Sequence, residues 1–188
     1  MSLSAVQICN RALDILGADP ILSLADNTEA GRLCNRNYAA VRDAVLRAYP
    51  WNAAMRRAAL PALAEPPAWG AAFAYELPAD CLRLWRVENE GHVDWRVEGR
   101  RVVTDLGPPL KVLYLARLDD TSLFDPLMGE AIAGRLAADL AYRLTGSTAL
   151  GNHAWSMYQA KLAEARRVDA QEGTPDRLVA RDWLDARR

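Results

Sequence analysis

Few residues in this chain have the type and spacing that chemistry needs. His92 and His153 are its two histidines, and no Ser, Cys or carboxylate is placed beside either by a recognisable motif. Acid–base catalysis needs a base within reach of a reacting group and a third group to orient it. Both histidines therefore read as surface or interface residues. Cys9, Cys34 and Cys81 are odd in number and widely spaced, with no Cys-x-x-Cys pair. They make no zinc site, and the expectation is reduced, buried thiols in a protein made in a cytosol. Asp119 and Asp120 are adjacent carboxylates, but no histidine or second acidic cluster stands at ligand spacing. They are expected to open a turn before a helix rather than to bind a cation. A Gly-rich phosphate loop is missing too. The chain is expected to be no enzyme and to need no metal or cofactor.

Charge narrows the partners. The 188 residues carry 23 Lys+Arg and 24 Asp+Glu, a formal net charge of −1. Gripping DNA or an anionic membrane needs a strong basic excess somewhere. Lys111 and Lys161 are the only lysines, and with the high alanine content this reads as a GC-rich coding bias. The start, "MSLSAVQICN", lacks the basic and apolar regions of a signal peptide, and no run approaches the ~20 apolar residues of a membrane helix. A soluble protein follows.

Assembly is the remaining possibility, and it depends on the elements. Ser4 and Gln7 stand at capping-box spacing, Leu3 and Ile8 can staple across the cap, and Gly17 closes a first helix with Ala5, Ile8, Ala12, Ile15 and Leu16 on its apolar face. "ADPILSLADN" is a loop. Asp26 and Glu29 repeat the capping-box spacing and are expected to start a longer helix. Its apolar face is Leu33, Cys34, Tyr38, Val41, Val45 and Ala48, opposite Arg32, Arg36, Asp43 and Arg47. Pro50 must end that helix, so "RAYPWNAAMRRA" reads as a corner between two helices. There Tyr49 and Trp51 bury their rings and Asn52 satisfies orphan backbone groups around Pro50. About ten residues separate the first two helices, too many for a helix-turn-helix.

From Pro61 the chain turns Pro-rich. Beyond it "AFAYEL", "CLRLWRV", "HVDWRV", "RRVVTDL" and "KVLYLARL" have strand chemistry, with "VEGR" as a tight hairpin turn. Residues 72–118 are expected to form an antiparallel sheet of four or five strands. Helix returns with Asp125 as N-cap, Pro126 at the first helical position and Gly146 as the stop. A last helix, near 149–172, puts Trp155, Tyr158, Leu162 and Ala165 on one face. The fold class is α+β, mainly α: a helical bundle with a small antiparallel β module inserted between its halves. Its parts are helices over 1–60, β module over 61–121, helices over 122–173 and a charged arm over 174–188.

The helix after Pro126 is apolar over most of its circumference, with a narrow stripe of Arg135, Asp139 and Arg143. Such a helix must be covered on more than one side. It is either the centre of a self-contained bundle or a helix shared with a neighbouring subunit. In the second case Ala133, Ala137, Ala138 and Ala141 are candidates for the contact, because small side chains let backbones approach.

The stretch "ICNRALDILGADPILSLADNTEAGRLCNRNYAAVRDAVLRAYPWNAAMRRA", with "YELPADCLRLWRV", "VEGRRVVTD" and "FDPLMGEAIAGRLAADLAYRLTGS", resembles the bacteriophage tail tubular protein A family, the head-to-tail connectors or adaptors. The likeness covers roughly residues 5–172 and lies in packing and corner residues, with no reactive centre. It implies a structural virion protein of the neck, assembled in the host cytoplasm as a homo-oligomeric ring of twelve subunits. Such a ring sits beneath the portal protein, docks the next tail or neck protein, and passes DNA through its lumen without reading it. Within that frame Leu178, Val179, Trp183 and Leu184 are expected to be portal-docking anchors on the arm, with alternating Arg and Asp residues between them. The alternatives are a small cytosolic helical regulator or enzyme of unfamiliar type, with a polar pocket, and a DNA-binding factor with salt-dependent affinity.

Overall fold

The computed structural model of this chain describes residues 3–88 and 93–172, and these form four α-helices and six β-strands. Helix α1 (Ala5–Leu16) begins with the expected capping box: Gln7 N–H donates to Ser4 Oγ at 3.2 Å, and Ser4 N–H donates to Gln7 Oε1 at 2.8 Å. Gly17 ends it at φ 66°, a conformation that costs a residue without a Cβ little. The following loop is pinned to α1 by a two-way bond between the Asn10 amide and the Ile21 backbone, at 2.8 and 2.9 Å.

Helix α2 (Glu29–Ala48) is capped by Thr28, whose hydroxyl accepts from Gly31 N–H at 3.0 Å, rather than by Asp26. Asp26 is spent on the loop, where its carboxylate accepts from Leu22 N–H at 2.7 Å and Ser23 N–H at 3.2 Å. Its carbonyl crosses so close to Gly31 that an added Cβ would lie 2.4 Å away. The buried face of α2 is Leu33, Cys34, Tyr38, Val41, Val45 and Leu46. Leu46 takes the place expected of Ala48, which is exposed.

The corner after α2 is not a junction of two helices. One 3-10 turn (Asn52–Ala54) leads directly into strand β1 (Met55–Leu60), so "MRRAAL" is strand although its alanines favour helix. The reason is tertiary: every residue of β1 pairs antiparallel with β6 (Leu110–Ala116), from Met55 opposite Leu115 to Leu60 opposite Leu110. The β structure thus takes in residues 55–60, which the sequence reading gave to the N-terminal helices.

The five expected strands are all present. They are β2 (Phe73–Glu76), β3 (Cys81–Val87), β4 (Trp95–Glu98), β5 (Arg101–Thr104) and β6. In place of one sheet they form two three-stranded sheets, ordered β1-β6-β3 and β2-β5-β4. Gly99, at φ 60°, sits in the β4–β5 turn that "VEGR" foretold. Leu63 N–H donates to Ala74 O at 2.8 Å, linking the two sheets. Leu60, Tyr75, Leu84, Val102, Leu110 and Val112 belong to a separate small core of this β module.

Helix α3 (Pro126–Thr145) starts at its Asp125 cap and stops at Gly146, φ 68°. Helix α4 (Thr148–Asp169) follows after a short turn, ends in a 3-10 turn over Ala170–Glu172, and packs along α3. Leu3 lies against Gly129 near the start of α3, while Glu29 at the start of α2 pairs with Arg143 near the end of α3 at 3.6 Å. The helices therefore alternate in direction. The β module, inserted between α2 and α3, grows from the end of the bundle where α4 also finishes. No helix among the described residues is long and apolar enough to cross a membrane.

Candidate assembly surfaces

The corner Tyr49, Pro50, Trp51 and Asn52 is held on every side. Trp51 is fully buried, its Nε1–H donates to Val45 O at 3.1 Å, and its ring meets Tyr49 edge-on with centroids 5.0 Å apart. Asn52 reaches the end of α4: its backbone N–H donates to the Asp169 carboxylate at 3.1 and 3.3 Å, and its side-chain Nδ2 donates to Asp169 O at 2.7 Å. One turn earlier on α4, the Arg166 guanidinium lies 5.5 Å over the Tyr49 ring, and Tyr49 O–H donates to Arg166 O at 3.3 Å. Burial raises the Asp169 carboxyl above its ordinary range, and the Asn52 hydrogen bond offsets part of that rise. Asp169 and Arg166 were not singled out in the sequence. A lone Asp in "RRVDAQEG" gives no signal until the fold brings residue 52 beside it.

A second fixed point joins bundle to β module. Arg42 is buried and pairs with Asp43 at 2.9 Å and Asp119 at 2.7 Å, while Arg117 just past β6 pairs with Asp43 at 2.8 Å. Asp119 is thus an ion-pair partner, and Asp120 caps a 3-10 turn by accepting from Ser122 N–H at 2.8 Å, as a turn-opening pair should. Beside them burial pushes the Tyr38 phenol up to about 12.

Three of the four candidate interface alanines lie inside the protomer. Ala133, Ala137 and Ala141 are at most 2 % exposed, and Ala138 is half-buried. A side chain already covered by its own chain has no surface left for a neighbour, so the contact as first drawn does not hold for these three. The small residues instead serve a close approach between α3 and α4. A Cβ at Gly134 would stand 3.1 Å from Tyr158 Cα, and one at Gly151 would stand 3.5 Å from Ala141 Cβ. What α3 leaves uncovered is its polar stripe. Arg135 pairs with Asp139 at 3.2 Å and stacks 4.7 Å over Trp155, which is 39 % exposed rather than on the buried face of α4. Tyr142, one turn beyond Asp139, is 68 % exposed, and the apolar pattern of the sequence does not distinguish it from the buried residues of α3.

Cys9 and Cys34 meet through a side-chain hydrogen bond in the bundle core, while Cys81 lies in the separate core of the β module. Cys9, Cys34 and Cys81 are free and buried. The hydrogen bond with Cys34, and then burial, push the Cys9 thiol up, and burial does the same for Cys81, so neither is an activated thiolate. His153 is exposed near the start of α4. Among the described residues no group of three or more His, Cys, Asp or Glu could hold a metal. His92 and the arm anchors Leu178, Val179, Trp183 and Leu184 lie outside the described residues. No protein-family model matches the chain, and no curated protein matches it either.

Proposed function

We propose that this protein is a head-to-tail connector: a structural, non-catalytic subunit that forms a ring beneath a phage portal, extends the DNA channel and docks the tail. The observation that carries the reading is the join at the corner. Residues 49–52, the start of the β module and the last turn of α4 are tied into one rigid block by Trp51, Asn52, Arg166 and Asp169. Chain 173–188 continues from that block. A rigid end followed in the sequence by a charged segment with Leu178, Val179, Trp183 and Leu184 suits docking better than turnover. The same block lies in the segments where the sequence resembles the connector family, and the bundle with an inserted β module is the architecture that family implies. Twelve copies, portal docking through Leu178, Val179, Trp183 and Leu184, and passage of DNA without sequence reading complete the proposal.

Deleting residues 176–188 tests it. The expected result is a protomer of unchanged thermal stability that no longer joins portal-bearing capsids. A destabilised protomer that still joins them would remove the docking arm, and full-length protein that ignores such capsids would remove the connector.

A further inference from the structure

The chain has a formal net charge of −1, yet its charges are not evenly paired. Arg11, Arg42, Arg101, Arg117, Arg135 and Arg143 each face a carboxylate. Where the end of α2 meets the β module the pattern changes. Arg47 from the last turn of α2, Arg83 from β3 and Arg100 from the β4–β5 turn line one cavity of about 330 Å³. Among the described residues no carboxylate lines it. The partners of the three guanidiniums are neutral: Arg47 donates to Leu82 O, Arg100 donates to Pro78 O, and Arg83 lies 5.2 Å over the Trp85 ring. Each contact holds a side chain in place without compensating its charge, and a guanidinium with five N–H donors has donors to spare. Of the neighbouring carboxylates, Asp80 accepts from Tyr114 O–H at 3.3 Å, and Glu98 lines a different hollow beside Trp69. Burial raises the Cys81 thiol on the cavity wall, while Arg100 and Arg47 draw it back down against Asp80. Both guanidiniums therefore act on the same spot.

Three like charges around one hollow repel one another, and buried Leu77 and Leu84 on its wall strengthen their field relative to open water. An anion seated between them removes that repulsion. Three forks approaching from three elements suit a tetrahedral phosphate, whose oxygens point in several directions, better than a planar carboxylate. The volume lies at the lower end of ligand pockets, ~300–1,000 Å³, so the anion can carry a further group. Leu82, Leu84 and Val97 supply apolar wall for that group. Independently of the connector reading, we infer that this cavity is a phosphate site for a nucleotide, either free or as one unit of a nucleic-acid strand. Contacts to phosphate carry no base information, so such a site holds a strand without reading its sequence.

Two probes test the site on the full-length protein. One is a fluorescein-labelled oligothymidylate of about fifteen nucleotides, followed by anisotropy at low salt. The other is thymidine monophosphate, followed by calorimetry. Arg83→Gln and Arg100→Gln should each weaken binding at least about tenfold. Arg57→Gln, at an exposed arginine of β1 outside the cavity, should change it by less than about twofold. Arg47 stays unchanged because it also ties α2 to β3. Melts check that the variants fold. If Arg100→Gln melts early because Pro78 O loses its donor, Arg83→Glu takes its place and should abolish binding. Binding of the strand alone assigns the site to a nucleic-acid backbone, and binding of the monophosphate as well assigns it to a free nucleotide. Either result supports the site when it shows the stated arginine dependence. Binding of neither probe, binding kept by either cavity variant, or a loss as large in Arg57→Gln would overturn it. So would tighter binding of a decaglutamate peptide with the same arginine dependence, which would make the cavity a dock for carboxylates. The capsid assay that decides the connector reading does not depend on these outcomes.

Discussion

The helical bundle and the β module solve the problem of burial differently. In the bundle, one helix touches all three others, and glycines and alanines bring α3 and α4 into near backbone contact. Its interior is closed, with Ile8, Leu13, Met128, Ile132 and Leu136 fully buried, and its exposed aromatics, Tyr142 and Trp155, stand on the outer faces of α3 and α4. The β module has two thin sheets with a small core between them and an outer surface that carries Trp69 at 88 %, Val97 at 45 % and Trp85 at 39 % exposure. Trp51 and Trp69 express the contrast in one residue type. The first is enclosed at the joint of the two regions, and the second stands in solvent on the Pro-rich loop after β1. Stability should therefore depend on the bundle and its joint, while the β module is free to present side chains.

Trp51→Ala is the strongest way to break that comparison. It empties a fully enclosed site and orphans Val45 O, so a loss of about 3–5 kcal/mol is expected in denaturant melts. A loss under about 1 kcal/mol would show that the joint is not where the two regions hold together. Gly134→Val comes next. Its Cβ would press on the Tyr158 backbone, which cannot swing aside, and about 1–3 kcal/mol should be lost by the same measurement.

Asp169 sharpens the joint itself. Replacement by Ala leaves Asn52 N–H without its carboxylate acceptor and should cost about 1–2 kcal/mol. Replacement by Asn keeps an acceptor and removes a buried charge, so it should be neutral or stabilising at pH 7. The sign with pH follows from the raised carboxyl: the folded state takes up its proton before the unfolded chain does. Wild-type Asp169 therefore gains relative stability as pH falls from its folded value towards the ordinary carboxylate range. Any advantage of Asp169→Asn should shrink across that window, and thermal melts from pH 7 to about 4 read it directly. An advantage that grew on acidification would mean the carboxyl is not raised.

The smallest effects bound the comparison from the other side. Gly151→Ala makes only ordinary contact with Ala141 and gains helix propensity, so α4 should be steadier by up to about 1 kcal/mol. Trp69→Ala should move the melt by no more than about 0.5 kcal/mol, because the side chain buries almost nothing. A large loss there would make the loop a structural part of the β module.

Local signals were legible wherever the cause was local. The Ser4–Gln7 box, the Asp125–Pro126 start, the Gly17 and Gly146 stops and the "VEGR" turn each rest on one or two residues satisfying nearby backbone groups. Asp26 failed as a cap because two loop N–H groups and Thr28 compete at the same place, and side-chain spacing does not rank them. The candidate assembly surface was half legible. The polar stripe of Arg135, Asp139 and Arg143 was visible as a period, but which alanines it left uncovered depends on where α1 and α4 sit.

By itself the sequence determined the class of fold, the placing of a β module between helical halves and the near-neutral charge, since periodicity, capping and composition act over a few residues at a time. Tertiary structure alone decided that "MRRAAL" is a strand, because only pairing with β6 outweighs its helical alanines. It also placed Asp169 under Asn52 and turned the alanines of α3 inward, leaving Tyr142 outside. Each of those outcomes is a contact between residues distant in the chain, and no local pattern encodes the partner.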